Sequence, residues 1–131
     1  MSIRKFDTSD IVDISVKEGK IERQNAHDLL PDEIREKLPK LYETEDLGLM
    51  AHAIVKFFSP DGGWTWYASE FDGEDIFFGL VDGYETELGY FSLSELQQLR
   101  GALGLPIERD LYYKPKTLKE LIDYHKSQRY S

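Results

Sequence analysis

Cysteine is absent from the 131-residue chain, which removes disulfides, thiolate zinc sites and thiol nucleophiles together and fits a reducing compartment. Long apolar runs are missing as well. A stretch such as Ile76-Phe77-Phe78-Gly79-Leu80-Val81 is far below the ~20 residues that cross a bilayer. The start, Met1-Ser2-Ile3-Arg4-Lys5-Phe6-Asp7, meets an acid before any apolar h-region, so no signal peptide is expected. These absences describe a cytoplasmic protein without membrane contact. The most informative gap is in charge: residues 57–99 contain no Lys or Arg against nine Asp and Glu.

What remains is 40% hydrophobic and 13% aromatic, the composition of one globular domain. The 16 Lys and Arg against 25 Asp and Glu give a net charge of −9. Residues 1–56 carry −3, residues 57–99 carry −9 and residues 100–131 carry +3, so the flanks cancel. The middle stretch also holds 11 of the 17 aromatics. It is both the most apolar and the most anionic part of the chain, which argues against disorder and against a nonspecific nucleic-acid clamp.

Residues 1–28 are an unpatterned extension, with Ile11, Val12, Ile14 and Val16 as one short strand and a turn at Lys17-Glu18-Gly19-Lys20. A single α+β domain is expected over residues 29–126, with the C-terminus fraying from about residue 127. Leu30, Ile34 and Leu38 put an apolar stripe on a helix that Pro31 opens and Pro39 ends. From Leu49 the period becomes two: Leu49, Ala51, Ala53, Val55 and Phe57 alternate up to the turn cluster Ser59-Pro60-Asp61-Gly62-Gly63. Strands follow at Trp64–Phe71, Ile76–Val81 and Tyr84–Phe91, joined by Asp72-Gly73 and Asp82-Gly83. Together these form an antiparallel four-stranded meander packed against two or three short helices.

Ser92-Leu93-Ser94-Glu95 and Thr117-Leu118-Lys119-Glu120 both match the capping box that opens a helix. The first helix buries Leu93, Leu96 and Leu99 and ends at Gly101 in a left-handed conformation. The second turns Leu118, Leu121, Ile122 and His125 inward. Ile107–Tyr113 is read as extended. Within it, Glu108, Arg109 and Asp110 supply a structural ion pair, with Arg109 facing inward and partnered by an acid of the meander.

The candidate interaction surface is Trp64, Trp66, Tyr67, Glu70, Asp72, Glu74, Asp75, Glu85 and Glu87, since exposed aromatics anchor partners and the acids have no local cation. Glu85 and Glu87, two apart on a strand, share a face. A competing reading is a metal-dependent phosphoester enzyme using Glu70, Asp72 and the Glu85/Glu87 pair. Pro60-Asp61 followed by Glu70-Phe71-Asp72 approaches the acid arrangement of metal nucleases, but Asp72 stands where the lysine belongs. A third reading is single-strand binding through the aromatics and the +3 C-terminal part. His27, His52 and His125 form no ligand pair, and no serine lies in a nucleophile elbow. No metal, cofactor or catalytic residue is assigned, and the balance leans away from an enzyme.

Several ordered blocks carry a resemblance: Leu38-Pro39-Lys40-Leu41-Tyr42, Lys56-Phe57-Phe58, Trp64-Thr65-Trp66-Tyr67, Glu70-Phe71-Asp72, Phe77-Phe78-Gly79-Leu80-Val81, Glu87 to Leu93, and Ile107 to Tyr112. Across Leu29 to about Ile122 the chain resembles domain of unknown function family 2958. The resemblance implies a small bacterial protein borne on plasmids, conjugative elements or phages, near antirestriction and DNA-processing genes, and it brings no catalytic residues. The leading expectation is a non-enzymatic interaction module that meets a basic protein surface, with nucleic acid not its direct ligand.

Overall fold

The computed structural model describes residues 25–129 in full and, upstream of them, residues 14–17 and 20–23 as strand backbone. Those upstream strands, β1 (Ile14–Lys17) and β2 (Lys20–Arg23), pair antiparallel with each other. Ile11 and Val12, expected in the same strand, lie outside the described residues. The helix α1 is one turn, Asp32–Arg35, opened by Pro31. It is shorter than the apolar spacing suggests. Leu30 and Leu38 are nonetheless buried and Ile34 packs against the core, because the flanking turns keep all three on one side.

Leu49 and Met50 do not join the strand run but end a 3-10 segment, Glu45–Met50, kinked at Gly48 (φ 54°). The alternating run is then split between β3 (His52–Ala53) and β4 (Val55–Phe58). Alternate burial of Ala51, Ala53, Val55 and Phe57 persists, but the first two belong to a different core from the last two. The chain passes from one face of the sheet to the other between them.

β4, β5 (Thr65–Phe71), β6 (Ile76–Asp82) and β7 (Thr86–Ser92) are each antiparallel to the next. After α2 (Leu93–Gln98), β8 (Glu108–Arg109) adds to the other side of β4, so the sheet has five strands in the order β7-β6-β5-β4-β8, not four. Only Glu108 and Arg109 of the expected extended segment are strand. β9 (Lys116–Thr117) pairs with β3 in a separate ribbon and leads into α3 (Leu118–Arg129).

Both faces of the sheet are covered, which produces an α+β architecture with two cores. On one face Phe57, Trp66, Phe71, Phe77 and Phe91 pack with Leu29, Leu30 and Leu38 and with Leu93 and Leu96 of α2. On the other, Tyr67 and Leu80 meet Ala51, Ala53, Leu118 and Leu121. β5 is buried on both sides, and its aromatic content follows from that.

The capping box at Thr117 closes in full, while at Ser92 the hydroxyl half is formed. Ser92 accepts from the Glu95 N–H at 2.9 Å. Thr117 and Glu120 satisfy each other's N–H at 3.1 and 2.9 Å. The end of α2 differs: it stops at Leu99 in an extended conformation, Gly101 has no positive φ, and Gly104 (φ 82°) makes the left-handed turn. Leu99 is consequently exposed. α3 runs on to Arg129, past the residue where fraying is expected. Its guanidinium donates to the carbonyls of Gly83 and Tyr84, to the Thr86 hydroxyl and to Asp82.

Candidate functional site

The site begins with an extra residue in β5. Ala68 pairs with Gly79, but the next pair is Glu70 with Phe78, so the register shifts and Ser69 is bulged. The Ser69 hydroxyl donates to the Phe78 carbonyl at 3.1 Å. Trp66 and Ala68 face the first core, and simple alternation would send Glu70 in behind them. The bulge instead turns Glu70 to the opposite face and returns Phe71 to the aromatic core.

There Glu70 is 4% exposed, and the main chain of residues 42–44 surrounds its carboxylate. One oxygen accepts from the Tyr42 N–H at 2.8 Å; the other accepts from the Thr44 N–H at 2.9 Å and from the Thr44 hydroxyl. Buried carboxylates persist where donors replace water. The same contacts hold Tyr42 in the left-handed region (φ 72°), which a bulky residue adopts only under constraint. Glu70 thus fixes the wall of a groove.

The groove has a volume of about 270 Å³, with Phe78 and Leu118 among its lining and Tyr42, Glu45, Leu49, Leu88 and Tyr90 around them. Tyr90 stacks edge-to-face on Phe78 at 5.1 Å. A hydrogen bond with Tyr42, helped by desolvation and the nearby Tyr42, Glu70 and Glu45 charges, raises the Tyr90 phenol above its ordinary pKa. Its rim is apolar yet open to solvent: Tyr42 is 62% exposed, Tyr90 56% and Leu88 42%. Glu45 lines the groove and is exposed, as is Asp46 next in the chain, whereas Glu87 is exposed on the other face of β7, the face of Phe91. Contiguous exposed apolar side chains of this kind mark interaction sites.

The residues nominated from sequence do not gather into one surface. Trp66 and Tyr67 are buried in opposite cores. Trp64 packs on Trp66 and Tyr84 at 5.9 and 5.3 Å and lines a separate shallow cleft with Leu99, Arg100 and Ile107. Trp64, Trp66 and Tyr67 therefore do not form one exposed aromatic platform. Asp72 accepts from the N–H groups of Glu74, Asp75 and Ile76, which lower its pKa, and so closes its own turn. Asp75 accepts from the N–H and hydroxyl of Ser94, extending the cap of α2. Glu74, Glu85 and Glu87 are exposed, but Glu85 lies in the turn before β7, so it does not share a strand face with Glu87. The carboxylates nominated for a metal do not converge: among the described residues no three His, Asp or Glu come together.

The charged trio also divides. Arg109 is buried, and its guanidinium donates to the carbonyls of Asp28 (2.9 Å) and Asn25 (3.5 Å), where an acid of the meander was expected. Asp110 pairs with Lys56 at 3.4 Å. Among the described residues, Asp82 is the one middle-segment acid in an ion pair, with Arg129 at 3.0 Å; His125 Nδ1 lies 3.1 Å from its carboxylate.

Tyr42, Leu49, Leu88 and Tyr90 are the groove residues that sequence reasoning missed. Tyr42 and Leu88 are far apart in the chain, and contacts distant in sequence bring the 42–44 segment to the sheet, chief among them the Glu70 carboxylate. A sequence signal existed in β7, where Leu88 and Tyr90 repeat at a spacing of two on the face opposite Glu87 and Phe91.

Residues 29–130 match the sequence model of a family described as a protein of unknown function (DUF2958). No curated protein and no solved structure matches the chain.

Proposed function

The chain belongs to this DUF2958 family, and from that premise we propose that it is a non-enzymatic protein-interaction module whose docking site is the groove around Tyr42, Leu88 and Tyr90. The observation that carries this reading is the exposed apolar rim over a preformed groove whose wall is fixed by a fully bonded buried carboxylate. A rigid wall loses little entropy when a partner side chain enters. Glu45 at the groove with Asp46 next to it in the chain, Glu87 on the other face of β7, and the absence of Lys and Arg from residues 57–99 favour a partner that presents apolar side chains alternating with basic ones.

The mobile-element setting implied by the family resemblance accommodates such a module as an anti-defence protein acting in the cytoplasm on a basic host protein. Mimicry of a DNA phosphate array is the less favoured form of this idea. Asp61, Glu70, Asp72, Asp75 and Asp82 are engaged in bonds within the protein and do not form a free anionic row.

The test is retention of proteins from a bacterial host on immobilised wild type and on the Leu88→Asp and Tyr90→Ala variants. A basic partner retained by wild type, released as salt rises and lost by both variants is the expected result. Equal retention by the variants would move the site elsewhere. Absence of any basic partner would remove the reading.

A further inference from the structure

We infer that the outer edge of β7 accepts an extended, basic segment of a partner protein as a sixth strand of the sheet. This inference rests on the docking reading above and specifies the partner's backbone conformation and charge.

The direction of the β7 backbone groups follows from two bonds at its ends. Leu93 N–H donates to the Asp75 carbonyl at 2.8 Å, and Gly83 N–H donates to the Glu85 carbonyl at 3.0 Å. Both pairs continue the β6–β7 register, in which Phe77 faces Phe91, Gly79 faces Gly89 and Val81 faces Glu87. Hydrogen-bonded and non-bonded pairs alternate in an antiparallel ladder. Glu87, Gly89 and Phe91 therefore bond inward to β6, while Leu88 and Tyr90 turn their N–H and C=O groups away from it. Among the described residues, no group is hydrogen-bonded to the backbone of Leu88 or Tyr90.

β7 is an edge strand of seven residues, about 23 Å long at ~3.3 Å per residue. The opposite edge is different: β8 has two residues, and the Arg109 N–H is already bonded to the Ala26 carbonyl. β7 contains no proline and no lysine, the usual guards of an open edge. Leu88 and Tyr90, at the centre of the outward-facing set, are also the β7 residues whose side chains line the groove. A strand laid along β7 would complete the ladder and place every second side chain against Leu88, Tyr90 and Tyr42.

Charge selects the occupant. A second copy of β7 paired antiparallel through Leu88 would set Glu87 of each chain diagonal to Glu87 of the other, and like charges on paired strands repel. A segment alternating apolar and basic residues puts its apolar side chains at the groove and its cations on the Glu87 face. That alternation is the side-chain periodicity of any strand.

The experiment follows amide exchange by NMR in the full chain, alone and with a capped decapeptide of alternating Lys and Val; the alternating Glu-Val peptide is the control. In the free protein, the amides of Leu88 and Tyr90 exchange fast and those of Glu87, Gly89 and Phe91 slowly. The Lys-Val peptide is expected to slow Leu88 and Tyr90 at least tenfold, and the Glu-Val peptide to leave them unchanged. Leu88→Pro, which removes the outward N–H, should weaken binding at least tenfold more than Leu88→Ala. If the Lys-Val peptide shifts the Tyr42 and Tyr90 ring signals while both amides stay fast, strand addition is overturned and the groove reading survives. If it does neither, both fail. Slowing that depends on protein concentration without peptide would assign the edge to a second copy and overturn the inference.

Discussion

The phenol oxygen of Tyr67 lies 2.7 Å from Nε2 of His125, and the other ring nitrogen of His125 lies 3.1 Å from Asp82. The Asp82 carboxylate accepts a hydrogen bond from Nδ1–H, which leaves Nε2 to accept from the Tyr67 hydroxyl. Tyr67 is 3% exposed, and no water is at hand to replace that acceptor. Desolvation lowers the His125 pKa below its ordinary 6.5; Asp82 opposes this, and Lys56 and Arg129 add to it. A histidine with a depressed folded pKa takes up protons more readily when unfolded. Stability is therefore complete above about pH 6.5 and declines as pH falls below it towards the folded pKa. Melting temperature followed from neutral to mildly acid pH should fall in this window, and the fall should be smaller in His125→Gln. Identical slopes for the two proteins would refute the coupling.

At the alkaline end, burial raises the phenols of Tyr67 and Tyr113, the latter to about 12. Unfolded tyrosine ionises at its ordinary 10.0, so the folded state loses stability as pH rises through 10 towards 12. Spectroscopic titration of phenolate should show two tyrosines ionising late and together with unfolding. Tyr113→Phe removes one late group. It also frees the Ala53 carbonyl, to which the Tyr113 hydroxyl donates at 2.9 Å.

Replacing Glu70 with Ala strands the Tyr42 and Thr44 donors around a vacated acceptor. The expected loss is roughly 2–4 kcal/mol, because three part-buried donors lose a charged acceptor. Chemical denaturation measures it. Amide exchange at residues 42–44 should accelerate more than in α3, because the damage is local to the groove wall.

Deletion of Ser69 tests the bulge itself. Without it, β5 regains strict alternation, Glu70 turns into the aromatic core and Phe71 turns out of it, so no cooperative unfolding transition is expected. Ser69→Ala keeps the register and loses the bond to the Phe78 carbonyl, at about 1 kcal/mol. A folded deletion variant of near wild-type stability would show that the register is set elsewhere.

These outcomes separate what local residues encode from what partners impose. The caps at Ser92 and Thr117, the turns at Asp72 and Asp82 and the inward stripe of Leu118 and Leu121 are legible because each depends on residues within one helical turn or hairpin. The groove is not, because Glu70 reaches it through a bulge whose presence depends on β6, and Tyr42 reaches it from another part of the chain. Leu49 shows the same limit. Its alternation with Ala51 cannot be told from strand pattern until Gly48 kinks the segment. The acid-rich middle stretch was legible as a composition, but the backbone N–H groups that occupy Asp61 and Asp72 leave no mark in sequence. Asp61 shows the balance: desolvation acts to raise its pKa, yet bonds from Leu103, Leu105 and Ser59 bring it below the ordinary value.

α3 is fastened at both ends, by the β3–β9 ribbon at Thr117 and by Arg129 on the turn between β6 and β7. Mechanically it is a beam on two supports laid over the sheet, and a load at one support is felt at the other. Tension on the C-terminal residues would be carried through Arg129 into Asp82, and from there through His125 and Tyr67 to the buried centre of β5. Loss of that single arginine would move the far support back to His125 and leave only the last turn overhanging, while the first turn stays in register.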